Sequence, residues 1–426
     1  MFKMSYTYNE IDTIKNQMEV DHKIIKRIYP RTNNKTSLEF VLEKDPNLYL
    51  RMHTMKLYLT VTIPKDYAPD IALPSKLFLD LRVDLDSQNI NSSSTRYDHK
   101  IIITIIVYYY RSQFFLHDIL SKMANYNWGY VTGTLGQLEG YGLTPFSCDR
   151  SSAESYLTAS PPQTVLEDRE LMVPDGNIDK TTLYVLSLEG GILTCPQPLL
   201  NNTEVKLSLD RALASISLLY REYGRDVTQP TTMDNKPLEL IDPYLEVEYV
   251  SSPYLRNFYS QIVDRPITFR YDDCDIYMKT VSNGQSMIRV NNVMGGLTPD
   301  YLFAGMVKTD AINGDFNLSS TNFFNPGYKE LCITLNGMPV QGYPMSIDEP
   351  AVKMYSKFID TIGKSKKSIG GSTIDCRFFT EFYCWISHHF EGEQTNEGWI
   401  GLDVKLSKPL DDDVTLGKLR LFLYVI

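Results

Sequence analysis

Short runs in which apolar and polar residues alternate recur along the whole chain. Leu57, Leu59, Val61 and Ile63 alternate with Tyr58, Thr60 and Thr62. Leu77, Leu79, Leu81, Val83 and Leu85 alternate with Phe78, Asp80, Arg82 and Asp84, and Val205, Leu207 and Leu209 with Lys206, Ser208 and Asp210. The second half repeats the habit in Leu245, Val247 and Tyr249, in Leu402, Val404 and Leu406, and in Leu419, Leu421, Leu423 and Val425. Successive side chains of a strand point to opposite sides, so each run has one dry and one wet face. Leu331, Ile333 and Leu335 run into Asn336-Gly337, a pair that accepts the left-handed backbone of a tight hairpin turn. The run at the end of the chain is apolar enough to predict pairing inside a sheet.

Helical spacing is rare. Three helices are predicted: Phe114 to Met123, Pro253 to Val263 behind the capping residue Ser252, and Pro350 to Ile362. The last has Val352, Tyr355, Phe358, Ile359 and Ile362 on one face and Gly363 as its stop. Many short strands with few helices predict an all-β protein of sandwiches. The length, 426 residues, fits two such domains. The polar, aperiodic residues 226–235 give a boundary, so the expected division is residues 1–35, 36–235 and 236–426. In the first of these, Ile11, Ile14, Met18, Ile25 and Ile28 recur near helical spacing up to Pro30, among Lys15, Lys23, Lys26, Arg27 and Arg31. It reads as a helix on the body's surface, or as an arm reaching a neighbouring subunit or a particle interior.

Composition excludes several functions. A formal net charge of −10 argues against a free-standing nucleic-acid binder. The 29 Tyr and 18 Phe favour strands and large buried interfaces. The six cysteines, Cys148, Cys195, Cys274, Cys332, Cys376 and Cys384, form no metal-ligand spacing and read as reduced residues of an intracellular protein. Residues 1–12 carry no apolar signal core, so Asn91-Ser92-Ser93 and Asn317-Leu318-Ser319 read as chance triplets. The apolar run Ile101 to Tyr110 is half the length of a membrane helix and reads as a buried strand.

Gly133, Gly136, Gly140 and Gly142 lack the spacing of a phosphate loop. His388 and His389, near Glu391, are adjacent on a strand and so diverge, which disfavours one shared metal. Asp272, Asp273 and Asp275, and Asp411, Asp412 and Asp413, read as solvated turns rather than calcium sites. Lys364, Lys366 and Lys367 before Gly370-Gly371 read as an exposed loop. No catalytic residue, metal or cofactor is expected.

Over about residues 285–426 the chain resembles the major capsid proteins of Polinton/Maverick elements and their adintovirus relatives. The features follow one another in that family's order. They are Gly295-Gly296-Leu297-Thr298-Pro299, Leu302-Phe303-Ala304-Gly305-Met306-Val307, Ala311 with Gly314, and Phe323-Phe324-Asn325-Pro326. Leu335-Asn336-Gly337-Met338-Pro339-Val340, Tyr343-Pro344, a helix bearing Tyr355, and a closing Gly417-Lys418-Leu419-Arg420-Leu421-Phe422-Leu423-Tyr424 complete it. Gly327 stands where the family has Phe, and the first half matches more loosely. The resemblance implies two consecutive eight-stranded jelly rolls (a double jelly roll) with a few short helices in loops, and a structural protein of the virion rather than an enzyme. It implies homotrimers of pseudo-hexagonal outline that tile an icosahedral shell around double-stranded DNA, made in the host cell and not secreted. The implied partners are other copies, neighbouring capsomers, penton or minor capsid proteins, and packaged DNA touched by the N-terminal arm, with no membrane span. Two other classes remain open from sequence: a minor-capsid or domesticated capsid-derived binding module, and a double jelly-roll enzyme acting on glycans.

Overall fold

The computed structural model describes residues 22–45, 47–65, 67–70, 73–86, 88–89, 179–188, 191–195, 198–200, 203–220, 235–251, 275–281, 284–291, 301–316, 318–320, 322–347, 352–361, 376, 379–380, 384–390, 398–410 and 419–425. Among the described residues the first half contributes twelve strands. They are β1 (His22–Ile28), β2 (Thr32–Asn33), β3 (Ser37–Leu42), β4 (Tyr49–Ile63), β5 (Tyr67–Pro69), β6 (Phe78–Leu85), β7 (Gln88–Asn89), β8 (Lys180–Ser187), β9 (Leu199–Leu200), β10 (Val205–Arg211), β11 (Leu218–Tyr220) and β12 (Leu240–Ser251). Short helices α1 (Leu73–Lys76) and α2 (Ala214–Ser217) lie in its loops. The second half has β13 (Asp275–Val281), β14 (Met287–Val290), β15 (Tyr301–Lys308), β16 (Tyr328–Leu335), β17 (Met338–Pro339), β18 (Met345–Ser346), β19 (Ile386–His389), β20 (Ile400–Leu406) and β21 (Leu419–Val425). Helices α3 (Thr309–Asn313) and α4 (Val352–Thr361) sit between its strands.

Pairing connects strands far apart in the chain. In the first half one sheet runs β1-β12-β4-β8 and the other β2-β3-β10-β6-β7. In the second the sheets run β13-β21-β15-β19 and β14-β20-β16-β17. Take β1, β3, β4, β6, β7, β8, β10 and β12 as the first to eighth strands of one half, and β13 to β17 and β19 to β21 as those of the other. Both halves then read 1-8-3-6 on one sheet and 2-7-4-5 on the other. This permuted antiparallel order is the jelly roll, and the chain contains it twice.

The alternating runs fall where the pattern predicts. Leu57, Leu59, Val61 and Ile63 are buried between the first pair of sheets with Leu207, Leu209, Leu245 and Val247. Ile288, Leu331, Ile333, Leu402 and Val404 occupy the second core. Each fully buried aliphatic side chain contributes about 1.5–3 kcal/mol, so two such cores suffice to hold two sandwiches. The predicted hairpin closes at Asn336 (φ 53°) and Gly337 (φ 81°), both left-handed. Terminal strand β21 lies between β13 and β15, and α4 occupies the predicted third helix.

Three expectations are corrected. The helical spacing of Ile25 and Ile28 does not produce a helix: residues 22–28 are β1, antiparallel to β12 from His22 opposite Ser251 to Ile28 opposite Leu245. Cross-strand hydrogen bonding overrides a weak periodicity there, and β1 becomes the jelly roll's first strand rather than part of a separate 1–35 unit. The division at 235/236 also moves. β12 pairs with β4 and buries Leu245, Val247 and Tyr249 in the first core, so the first sandwich extends through Ser251. Finally, Leu77 to Leu85 do not keep one parity. A register shift at Asp210/Arg211 sets Phe78 into the first core, while Leu79 packs against the second. The runs and helices predicted at 101–110, 114–123 and 253–263 lie outside the described residues.

Candidate functional site

Among the described residues, the polar side chains singled out from sequence do not converge. His388 and His389 occupy β19 and diverge, as adjacent strand residues must. His388 is 2% exposed and edge-on to Tyr343 and Phe390, whereas His389 stacks on Tyr301 at 4.3 Å. Burial, with Lys357 and His389 nearby, pulls the His388 imidazole down to about 4. Cys195 and Cys384 are buried, whereas Cys332 and Cys376 are partly exposed. Burial pushes the Cys384 thiol up to about 12, which leaves it protonated and inert. No group of three His, Cys, Asp or Glu able to hold a metal exists among the described residues. Residues 133–142, 272–273, 364–371 and 411–413 lie outside them.

Several described residues of the second half act instead in packing and turns. A Cβ on Gly305 would stand 2.8 Å from Phe323 and 3.0 Å from Trp385, so only glycine lets β15 meet those rings. Phe323 and Trp385 lie 3.9 Å apart, Phe358 and Phe379 5.2 Å, and Phe303 and Phe358 6.3 Å. Asn325 Oδ1 accepts hydrogen bonds from the Gly327 and Tyr328 backbone N–H groups at 2.9 and 3.0 Å and starts β16. Gly327 has φ 87°, a left-handed backbone that favours glycine. The Tyr343 hydroxyl donates to the Ser387 carbonyl at 2.9 Å and ties the β17–β18 connection to β19.

A second cluster joins the two sandwiches, and no sequence pattern signalled it. Asp70, after β5, and Lys76, in α1, form a contact ion pair with both side chains buried. Burial lowers the Lys76 ammonium below its ordinary range, although Asp70 opposes that shift. Ser319, from the second half, donates to both Asp70 carboxylate oxygens at 3.0 and 2.9 Å. The Asp70 N–H donates to the Ser217 carbonyl at 3.0 Å. Around this polar centre Tyr67 meets Phe316 at 5.0 Å, and Ala212 and Ile216 enter the second core. Gly314 (φ 96°) ends α3 directly against Ser215, where a Cβ would collide. Removing one partner of a buried pair leaves an uncompensated charge, so this seam tolerates no half-measures.

The sheet faces turned away from the cores carry different chemistry. On β1-β12-β4-β8, Arg27 opposes Glu246, Ile25 opposes Glu248, and Tyr58 opposes Tyr244. The two tyrosines stack at 4.6 Å and 7°, and the Arg27 guanidinium lies 5.1 Å over Tyr244. Lys23 and Arg51 both pair with Glu248, whose carboxyl they hold low against the upward push of burial. The outer face of β3-β10-β6 instead presents Glu39, Asp80, Asp84 and Asp210 around Lys206 and Arg82. Arg82 pairs with Asp80 and Asp210, and Lys206 with Glu39.

No family model matches the sequence. A curated relative, an uncharacterised protein of Caenorhabditis elegans, is 26% identical over 102 residues, 23% of this chain. The match takes in only 24% of that protein's length. Solved structures match far more broadly. The mavirus major capsid protein aligns over 100% of this chain and 92% of its own, at 10% identity and a TM-score of 0.52. A chain of the Sputnik virophage aligns over 95% and 85%, at 10% identity and 0.53. A chain of the PBCV-1 virus capsid aligns over 100% and 95%, at 9% identity and 0.51. The double strand permutation read from this chain's own pairing is thus a fold it shares, end to end, with major capsid proteins.

Proposed function

We propose that this chain is a major capsid protein: a structural subunit, not an enzyme, that assembles as homotrimers of pseudo-hexagonal outline tiling an icosahedral shell around double-stranded DNA. One observation carries the reading: the same eight-strand order occurs twice, and a buried seam holds the two sandwiches as one block. A shell needs rigid, gap-free tiles, and three double blocks around a threefold axis give six near-equivalent sides. The order of motifs over residues 285–426 supports a place in the Polinton/Maverick and adintovirus lineage. The solved capsid structures share the fold at identities too low to separate lineages. Penton and minor capsid proteins are the further partners of such a tile, its place is the virion, and its N-terminal arm ahead of β1 touches packaged DNA.

The test is the mass of the purified full chain by light scattering, with negative-stain images of the same peak. Trimers of hexagonal outline, or shells, are expected. A monomer at high concentration that forms no tile at any salt or pH overturns the reading and favours a domesticated binding module.

A further inference from the structure

The third strands of the two sandwiches, β4 and β15, occupy equivalent positions but are covered differently. From Leu302 to Val307, β15 is buried on both of its sides by its own chain, with Phe323, Phe358 and Trp385 among the residues packed there. On β4, Lys56, Tyr58, Thr60 and Thr62 remain half-exposed on the side away from the core. Around them the same face presents apolar surface: Ile25 is 63% exposed, Tyr29 64%, Leu183 44% and Ile241 40%. Its charged groups are mainly basic. Lys23, Arg27, Arg51 and Lys56 stand against Glu246 and Glu248. The opposite flank of the same sandwich is the reverse, with four carboxylates around two basic groups, while the aromatic residues of its strands, Phe40 and Phe78, face the core.

We propose that the basic, aromatic outer face of β1-β12-β4-β8 docks a second copy of this chain, which presents its acidic β3-β10-β6 face. Opposite polarity on the two flanks of one sandwich is what a head-to-tail contact requires, and tyrosine and arginine are the residues that dominate such interfaces. The contact rests on the capsid reading and places itself within it. In a ring where first and second sandwiches alternate, two first sandwiches are never neighbours. The docking face therefore joins one trimer to the next and does not build the trimer.

The test compares the full chain with the variant Lys23→Glu/Arg27→Glu and with the same variant carrying Asp84→Lys, by light scattering and negative-stain imaging. Melting temperatures within a degree or two of the unaltered chain establish folding. The double reversal is expected to leave trimers intact and to raise the concentration at which trimers associate about tenfold or more, with Asp84→Lys recovering part of the loss. Association of the unaltered chain is expected to weaken as ionic strength rises from about 0.05 to 0.5 M. Unchanged trimer association, loss of the trimer itself, no recovery by Asp84→Lys, or indifference to salt each overturns the proposal. An unaltered chain that never forms trimers removes the capsid reading and this proposal with it.

Discussion

The two sandwiches share one strand order and differ in what lies against it. In the second, the family-like residues surround β15 with aromatic rings, so Gly305 must be a glycine and no side of the strand is left to water. In the first, β4 alternates from Met55 to Ile63, one side dry and the other half-wet, with a stacked tyrosine pair beneath Arg27. Topology alone therefore does not decide where a jelly roll is sticky. Each half spends its aromatic residues differently, one on its own interior and the other on a surface.

Substitutions at four places separate the two halves experimentally. The strongest is the seam that both halves share. Lys76→Met strands the buried Asp70 carboxylate and is expected to destabilise by about 3–5 kcal/mol in denaturant unfolding. The pair Lys76→Met/Asp70→Leu should recover most of it. If the single change costs nothing, the seam is not what joins the sandwiches. Next is Gly305→Ala, which forces a methyl group into Phe323 and Trp385. It should cost about 1–3 kcal/mol and shift tryptophan fluorescence, whereas an unperturbed spectrum would show a loose aromatic layer.

Acid should act on the second sandwich through His388. Its folded pKa, near 4, lies below the ordinary value near 6.5. Between those values the unfolded chain takes up a proton that the folded chain refuses. Stability is therefore full above about pH 6.5 and falls as pH drops towards 4. His388→Phe should flatten that part of the melting profile, and an identical slope in the variant would place the acid sensitivity elsewhere. The smallest effect belongs to the first sandwich's open face: Tyr58→Ala removes a half-exposed stack and should cost about 1 kcal/mol in the isolated subunit. A much larger loss would mean that this face is already covered within the subunit.

Much of the fold was legible because period-2 alternation is local. Leu57 to Ile63, Val205 to Leu209 and Leu402 to Leu406 each declared a strand without reference to any partner. Asn336-Gly337 declared its turn for the same reason, since left-handed backbone is a property of the residue. β1 was misread because an edge strand leaves both faces largely exposed and so keeps no strict alternation; its pairing with β12 lies more than 200 residues away. The boundary at 235/236 failed for a related reason. A polar loop marks a gap between strands, and in a jelly roll the last strand pairs with the first and third across such gaps.

The functional surfaces divide along the same line. The order of motifs from Gly295 to Tyr424 pointed to a capsid-like fold, yet its described members Gly305 and Phe323 serve internal packing. Asp70, Lys76 and Ser319 showed no pattern, because a buried ion pair is defined by what surrounds it and here the surroundings come from both halves of the chain. Local periodicity was enough to mark β4, β6, β10, β12, β16, β20 and β21 as strands and to place one hairpin turn. Only the tertiary structure decided which strands pair, where one sandwich ends, and which outer faces carry opposite charge, since hydrogen-bond partners and shared faces are set by contacts between segments that local periodicity cannot see.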